Sequence, residues 1–350
     1  MKNLWLLFLV FFASCAAPIL DEPTIITTFQ ESGLDCSWDP SGSNRILYSQ
    51  KGTDTYYDIH MSYPDGTEDT CLTCDHSALP NKHIANMAWS YDGKWCIFVA
   101  EKAVHSGSST DALPGFGAYC DIWIMRVDSS AIFKIVDIPN DYDHGVICPR
   151  FSPDMTKISW TDRVEAPNVL DGKKLAGYWV IKMADFAFDS TGIPVVSNVQ
   201  IVPTGEPSFY ECYGFSPDNQ QLIYCSSVNQ PSFWDQHIYT INVDGTNIQK
   251  LTDKNYNEHG HYRHDGNKIV WMSNTESKAG GTDWWIMNSD GSDKKRLSYM
   301  NEPQNGQYAG HAVWAGLGSF DPVNQNRFIS GVQLDLISQE GKIVIVEILP

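Results

Sequence analysis

A short phrase that begins with an aromatic residue and runs into a turn recurs six times along the chain. Phe215-Ser216-Pro217-Asp218 is its clearest copy. Pro presets φ and Asp tolerates positive φ, so the phrase is typical of a tight turn after a strand. An apolar run follows each copy, which predicts a β-hairpin. The six aromatic anchors are Trp38, Trp89, Phe151, Phe215, Tyr262 and Trp314.

A second repeated phrase follows most of these hairpins. Segments such as Asp121 to Ser129 and His237 to Gly245 alternate large apolar with polar residues, stop at a turn, and precede another short strand. Each unit therefore predicts four antiparallel strands. The anchors lie 47 to 64 residues apart, a spacing typical of propeller blades with insertions. The sequence predicts an all-β fold, a six-bladed β-propeller of four-stranded antiparallel blades, over residues 33–350.

Two of these phrases carry a resemblance to a known family. HIYTINVDGTNIQKLTD (237–253) and WWIMNSDGSDKKRLS (284–298) resemble the repeats of TolB-type, WD-like propellers of bacterial envelopes. The resemblance covers residues 33–348 and implies the fold and an envelope protein partner. It does not fix the function, because this repeat serves binding proteins, peptidase accessory domains and a few lyases.

The N-terminal residues have the pattern of a targeting segment. Residues 1–15 contain a lysine, an apolar run from Leu4 to Phe12 that is too short to span a bilayer, and then small residues. Cys15 follows Ala-Ser and resembles a bacterial lipobox, which implies an exported lipoprotein of the outer membrane, periplasm or cell surface. Simple secretion with a coincidental cysteine is the alternative. Membrane contact is expected only through the N-terminal lipid.

The sequence is compatible with two ways of closing the ring. Residues 16–32 are expected to form a tether and an N-terminal strand. The last repeat is expected to supply its own fourth strand, Lys342 to Ile348. The N-terminal strand then either completes a blade or lies outside it as an extra edge.

The net charge excludes one class of partner. The chain carries 42 acidic and 24 basic residues, for a formal charge of −18. Such a surface repels phosphate backbones, so nucleic-acid binding is not expected. Cations and cationic partners are favoured, and a monomer is expected.

Eight cysteines follow Cys15. Cys212 and Cys225 lie symmetrically about the turn at Asp218, so we expect them to face each other across the hairpin, where a disulfide could bridge them. Cys71 and Cys74 form a lone C-x-x-C with no second pair at zinc-ribbon spacing and no βαβ context. A structural disulfide or two buried thiols is therefore favoured over metal or redox chemistry.

The turns also predict which face of the disc carries function. The turns that join the first strand to the second and the third to the fourth share one face, so the long inserts and the histidine-bearing segments lie on the opposite face. Loops on a rigid scaffold commonly form sites. Counting back three residues from each anchor gives a ring at the mouth of the central channel: Asp35, Asn86, Cys148, Cys212, His259 and His311.

This ring predicts a divalent metal site. Imidazoles that converge on one axis suit manganese, zinc or calcium, and His259, His261 and His311 are the candidate ligands. The alternative is a set of polar channel residues that bind only water, with no cofactor. Four further residues are candidates for binding a ligand near the mouth: Tyr210, Glu211, Glu258 and Gln307.

The histidines, with Arg150 nearby, also resemble oligogalacturonate lyases, propellers that use a histidine-held manganese and a base to cleave acidic sugars by β-elimination. The resemblance implies that the metal neutralises a uronate carboxylate, that Arg150 pairs with it, and that His144 is the candidate base. Those enzymes have a seventh blade and a Gln-x-x-His-x-His run, and the chain lacks both. Two functions stay open: a propeller that binds a protein partner or a saccharide at its His-rich mouth, and a metal-dependent polysaccharide lyase.

Overall fold

The structure, a computed structural model, describes residues 22–335 and 340–350. These residues form six four-stranded antiparallel sheets, which confirms the predicted six-bladed β-propeller. The helical content described is one short 3-10 turn, Ser109–Ala112, and no described helix is long and apolar enough to cross a bilayer. The predicted signal peptide and Cys15 lie outside the described residues.

The strands follow one another from the channel outwards in each blade. The chain begins with β1 (Thr24–Gln30). Blade 1 contains β2 (Cys36–Trp38), β3 (Ile46–Lys51), β4 (Tyr57–Ser62) and β5 (Thr70–Cys71). Blade 2 contains β6 (Ile84–Trp89), β7 (Trp95–Glu101), β8 (Cys120–Arg126) and β9 (Ile132–Val136). Blade 3 contains β10 (Gly145–Phe151), β11 (Lys157–Glu165), β12 (Tyr178–Phe188) and β13 (Pro194–Ile201).

The second half repeats the pattern. Blade 4 contains β14 (Tyr210–Phe215), β15 (Gln221–Ser226), β16 (His237–Asn242) and β17 (Gln249–Lys250). Blade 5 contains β18 (Asn257–Tyr262), β19 (Lys268–Ser273), β20 (Asp283–Asn288) and β21 (Lys295–Arg296). Blade 6 contains β22 (Trp314–Phe320), β23 (Arg327–Asp335) and β24 (Glu340–Ile348), with β1 as its outermost strand.

The repeated turn phrase is held together by its own serine and aspartate. In blade 4 the Ser216 hydroxyl donates to Asp218 Oδ1 at 2.5 Å and accepts the backbone N–H of Gln221 at 2.9 Å. The same serine-to-aspartate bond joins Ser90 to Asp92 and Ser152 to Asp154. The phrase that dominates the sequence is thus a self-contained turn that sets the hairpin at the inner edge of a blade.

A bulge interrupts the first strand of blades 2 to 6, where the pairing register shifts. In three blades the residue three places before the final aromatic is left-handed: φ is +50° at Asn86, +52° at Cys148 and +55° at His259. Counting back from the anchors therefore identified these bulge positions. Asparagine tolerates this conformation, whereas it strains cysteine and histidine by about 1–2 kcal/mol.

The N-terminal strand β1 closes the ring as the fourth strand of blade 6. The prediction that the last repeat supplies its own fourth strand is therefore wrong. Lys342 to Ile348 lies in the third strand of blade 6, because Leu334 continues β23 instead of opening a third strand. The fourth strand is β1, with Thr24 paired to Ile348. The Thr24 hydroxyl also donates to the carbonyl of Leu297 at 2.7 Å, which ties the closure to blade 5.

The sixth anchor is Phe320, six residues after the predicted Trp314. β22 ends at Phe320, as the other first strands end at their aromatic anchors. Asp321 then pairs with Arg327 at 2.5 Å, as Asp39 pairs with Arg45 at 3.3 Å in blade 1. Phe320-Asp321-Pro322 is thus the sixth copy of the turn phrase, which moves the ring position in blade 6 from His311 to Leu317.

The cysteine predictions divide. Cys71 and Cys74 form a disulfide, which agrees with the favoured structural alternative. Cys212 and Cys225 are both free and buried, so the predicted bridge is wrong. The bulge in β14 advances the register by one residue, which places Tyr224 opposite Cys212 and Glu211 opposite Cys225.

Candidate functional site in the central channel

The first strands line the channel and run in one direction, from the face of the inserts to the face of the Ser-x-Asp turns. We call the part near their starts the insert-side half and the part near their final aromatics the turn-side half. A cavity of about 110 Å³ occupies the turn-side half. It is too small for a sugar, because ligand pockets usually measure about 300–1,000 Å³. Its wall includes Tyr91, Arg150, Tyr213, His261 and His264.

Arg150 supplies the cation of this cavity. Its stem lies over Gly214, where an added Cβ would be 3.3 Å from the arginine Cγ, and its Nη1 donates to the carbonyl of Pro149 at 2.8 Å. Within residues 22–335 and 340–350, no carboxylate forms a salt bridge with this guanidinium. Its charge still acts at longer range on Asp35. Burial raises the pKa of Asp35, while the hydrogen bonds from Asn86 and the charge of Arg150 lower it in part.

His261 is buried beside this cavity. Its Nδ1 donates to the carbonyl of His259 at 3.4 Å, while its Nε2 is buried without a hydrogen-bond partner. The ring packs against Phe320 and Phe328, with centroids 5.3 and 5.9 Å away. Burial, followed by the nearby cationic groups, lowers the pKa of His261 to about 4, so it is a neutral imidazole at ordinary pH.

The three predicted metal ligands do not come together. His259 packs edge-on against Tyr213, 5.6 Å between ring centroids, and its Nδ1 is buried without a partner. His311 is exposed and precedes β22, whose first residue Trp314 bridges to Thr282, just before the third strand of blade 5. In the described part of the chain, two groups of three or more potential ligand atoms lie within 4.8 Å, and neither contains His259, His261 or His311.

Three other predicted residues have structural contacts of their own. Tyr210 is buried, and its hydroxyl donates to the carbonyl of Glu206 at 2.7 Å. Gln307 Nε2 donates to the carbonyl of Thr24 at 2.8 Å, so this residue supports the ring closure. His144 is partly exposed, with Nδ1 2.7 Å from Asp141 Oδ1. His144 and Gln307 are absent from the wall of the turn-side cavity.

The insert-side half holds a buried network that includes the predicted Glu211 and Glu258. Glu211 accepts a hydrogen bond from the Cys148 thiol through Oε1 and from the Tyr213 hydroxyl through Oε2, each at 3.2 Å. Tyr213 Oη also lies 2.9 Å from the sulfur of Cys225, which lies 3.9 Å from Glu258 Oε1. We call these five residues the acid–thiol cluster.

Burial favours the protonated form of four members of this cluster, Glu258, Cys148, Cys225 and Tyr213. The pKa of Glu258 is raised to about 8, mainly by burial and further by the charge of Glu211. Burial also raises the pKa of Cys148, Cys225 and Tyr213. Sequence reasoning missed Cys225 and Tyr213, because their place depends on the bulge in β14. The signal for Cys225 was its near-symmetry with Glu211 about the turn, displaced by one residue.

A second cleft, about 490 Å³ in volume, opens beside the first insert at the outer side of blade 2. Its charged groups are Lys102, Lys134, Asp121 and Asp137. Lys102 contacts both Asp121 and Asp137, and Lys134 contacts Asp137 at 2.5 Å and Asp121 at 3.6 Å. These charges satisfy one another, so the cleft presents no unpaired charge to a ligand.

Comparisons with known proteins agree on the fold. No family model matches the sequence. A search of curated proteins finds no match. Among solved structures, TolB from Acinetobacter baumannii matches with a TM-score of 0.55 and 17% identity over 87% of this chain. The match spans 64% of that TolB chain.

Two further structures match over nearly their full length. A TolB protein from Agrobacterium tumefaciens has a TM-score of 0.53 and 13% identity, with 93% of this chain and 98% of that one covered. An oligogalacturonate lyase in complex with manganese has a TM-score of 0.54 and 13% identity, with 95% of each chain covered. These neighbours confirm the predicted resemblance to TolB-type propellers and to oligogalacturonate lyases at the level of the fold.

Proposed function

We propose that this protein is an exported, lipid-anchored envelope propeller of TolB type that binds an anionic group of a ligand or protein partner at its channel, without chemistry of its own. The observation that carries the proposal is the state of Arg150. Five arginines have a carboxylate within 4.0 Å: Arg45, Arg126, Arg263, Arg296 and Arg327. Among the described residues Arg150 and Arg163 have none. Arg163 donates to the carbonyl of Tyr142, and of the two only Arg150 lines the cavity.

The size of the cavity restricts the occupant. About 110 Å³ accommodates a carboxylate group of a larger molecule. A guanidinium binds a carboxylate with two parallel charge-assisted bonds, which supply both energy and orientation. The unpartnered Nε2 of His261 adds a neutral polar group on the same wall. The rest of a protein partner would lie outside, over the face of the Ser-x-Asp turns. The charge of −18 would keep copies of this chain apart, as a monomer.

The test uses N-acetylglycine as a minimal carboxylate probe, measured by isothermal titration calorimetry. Wild-type protein is expected to bind one equivalent, and Arg150→Gln to bind about 10–100-fold more weakly, the worth of one charged hydrogen-bond pair. Arg126→Gln is the matched control, since Arg126 pairs with Asp128 at the exposed rim. Absence of binding by the wild type, or equal binding by Arg150→Gln, would refute the proposal.

Export and lipid attachment have a separate test. The proposal assigns the lipid to Cys15, and incorporation of an alkyne-labelled fatty acid is expected in the wild type and absent from Cys15→Ser. Exported protein that takes up no label in either form would show simple secretion. That result would leave the channel site unaffected.

The second candidate function is a metal-dependent polysaccharide lyase, and the acid–thiol cluster is the observation that favours it. The predicted three-histidine site does not fit a metal, whereas ligand atoms of Glu211, Cys225 and Glu258 lie within 4.8 Å of one another. Two carboxylates and a thiol suit zinc better than manganese or calcium. One metal per chain by elemental analysis, with an ultraviolet-absorbing product from oligogalacturonate, would support this candidate. Protein without metal or product would leave the binding function.

A further inference from the structure

Away from the channel, the outer edge of blade 1 brings a histidine to the C-x-x-C pair. His60 on β4 is paired directly with Cys71 on β5, and Cys74 follows in the turn after β5. A ring nitrogen of His60 and the two sulfurs all lie within 4.8 Å of one another. Cys74 is exposed, and Cys71 and His60 are partly exposed, so a solute can reach the group.

Two neighbouring contacts suit metal ligands. The backbone N–H of Cys74 donates to the sulfur of Cys71 at 3.0 Å, a bond that stabilises negative charge on that sulfur. Behind His60, the Asp69 carboxylate lies 3.5 Å from Nδ1, which has no hydrogen bond of normal geometry. Tyr48 holds Asp69 in place through a 2.5 Å hydrogen bond. A carboxylate beside the imidazole is the usual partner of a metal-binding histidine.

We propose that Cys71 and Cys74, when reduced, bind one Zn²⁺ together with His60. The disulfide and the zinc ion are then alternative states of one sulfur pair. Two thiolates and an imidazole are the ligands that zinc prefers, and water can complete the tetrahedron. The acidic surface of the protein favours a cation at this edge. Zinc ribbons take their remaining ligands from a second pair further along the sequence, and this chain has no such pair. Here the third ligand, His60, comes from the adjacent strand, so sequence spacing could not identify it.

The change of state balances in two steps. A dithiol reductant gives two electrons to the S–S bond, becomes a cyclic disulfide itself, and leaves two thiols on the protein. Zinc then displaces the two thiol protons as it binds. Oxidation of the pair removes both thiolates and must release the metal.

The experiment uses zinc alone as the probe. Purified full-length protein is reduced with a dithiol, desalted without oxygen, and titrated with Zn²⁺ in competition with a colorimetric chelator. About one equivalent is expected to bind to reduced protein and none to oxidised protein. The six buried free cysteines of residues 22–335 are present in both samples, so they serve as an internal control. Equal zinc binding by the two samples, or none by either, would overturn the proposal.

Variants assign the ligands. Cys74→Ser, at the exposed position, and the double variant Cys71→Ser with Cys74→Ser should both abolish binding. Asp69→Asn removes only the partner behind His60 and should weaken zinc binding by about tenfold. His60→Ala removes a ligand and should weaken binding by more than that. His76→Ala is the matched control, because His76 lies in the same turn but accepts a bond from the Ala78 N–H. Circular dichroism checks folding, and zinc binding retained in Cys74→Ser would exclude the site.

Discussion

Burial acts in opposite directions on an acid in the insert-side half of the channel and on a base in the turn-side half, although Tyr213 belongs to both. The insert-side half carries carboxyl, thiol and phenol groups, and burial raises their pKa values, as at Glu258. The turn-side half carries imidazoles beside Arg150, and burial lowers the pKa of His261 to about 4. One physical cause, the loss of water, therefore keeps an acid and a base uncharged in one channel. The guanidinium of Arg150, which does not lose its proton in proteins, remains as a positive charge on the cavity wall.

The largest expected effect is a loss of stability as pH rises to about 8, and it depends on Glu258. Between about 4.3, the usual pKa of a glutamate, and about 8 in the fold, folded protein holds a proton that the unfolded chain has released. The free energy of unfolding should therefore fall as pH rises through this window, by up to about 1.4 kcal/mol per pH unit. Urea unfolding between pH 5 and 9 measures the slope.

Glu258→Gln should remove this slope, because the amide has no proton to lose. Glu276→Gln, which changes an exposed glutamate, is the matched control and should retain it. An unchanged slope between pH 5 and 8 in Glu258→Gln would show that another group of the acid–thiol cluster carries the charge.

His261 should contribute the reverse dependence, and a smaller one, over the lower part of the same window. Between pH 4 and 6.5 the unfolded chain protonates a histidine that stays neutral at position 261, so this contribution to stability falls as pH drops. It opposes the contribution of Glu258 and is therefore measured in the Glu258→Gln background. His261→Gln should reduce the loss by about 1–3 kcal/mol. His237→Gln should also reduce it, since burial lowers the pKa of His237 to about 4.

These two histidine variants separate titration from binding. His237 lies on β16, a third strand, whereas His261 lines the cavity. Both variants should flatten the acid side of the curve, but only His261→Gln should change the affinity for N-acetylglycine. If His237→Gln and His261→Gln changed the affinity equally, the ligand would not bind specifically at the channel cavity.

The smallest effect is expected between the halves, at the bulge of blade 2. Asn86 has φ of +50°, and its backbone and side-chain amides both donate to Asp35 Oδ2. Asn86→Ala should cost about 1–2 kcal/mol, from the strained conformation and the lost side-chain bond. Asn86→Gly loses the same bond without strain, so it should cost less. Thermal unfolding that ranks the alanine variant above the glycine variant would contradict this account.

The sequence was sufficient for the blades and for part of the channel. The Ser-x-Asp phrase repeats because each turn satisfies its own polar groups, so it could be recognised without the fold. The ring positions were found at Asn86, Cys148 and His259 because their distance from the anchor is constant. Phe320 was missed because Trp314-Ala315-Gly316 also resembles an aromatic followed by a turn. The pairing of Asp321 with Arg327, six residues apart as in Asp39 and Arg45, was the signal that distinguished them.

The remaining contacts depend on register. Alternation along a strand predicts which residues share a face, but a bulge shifts every partner beyond it by one position. Glu211 therefore meets Cys225, and Cys212 does not. Blade 1 poses the same difficulty, because Cys71 reaches His60 through strand pairing and not through spacing in the sequence.

The closure of blade 6 has a consequence for engineering the chain. Thr24 is paired with Ile348, and the N–H of Leu349 donates to the carbonyl of Pro23 at 2.8 Å, so the first and last strands described are neighbours in one sheet. A short peptide linker would join them as an ordinary hairpin. The polypeptide could then be cut at an exposed loop elsewhere and begin at another blade. Such a circularly permuted version would close its circle through a covalent connection, where the native arrangement relies on hydrogen bonds between distant segments.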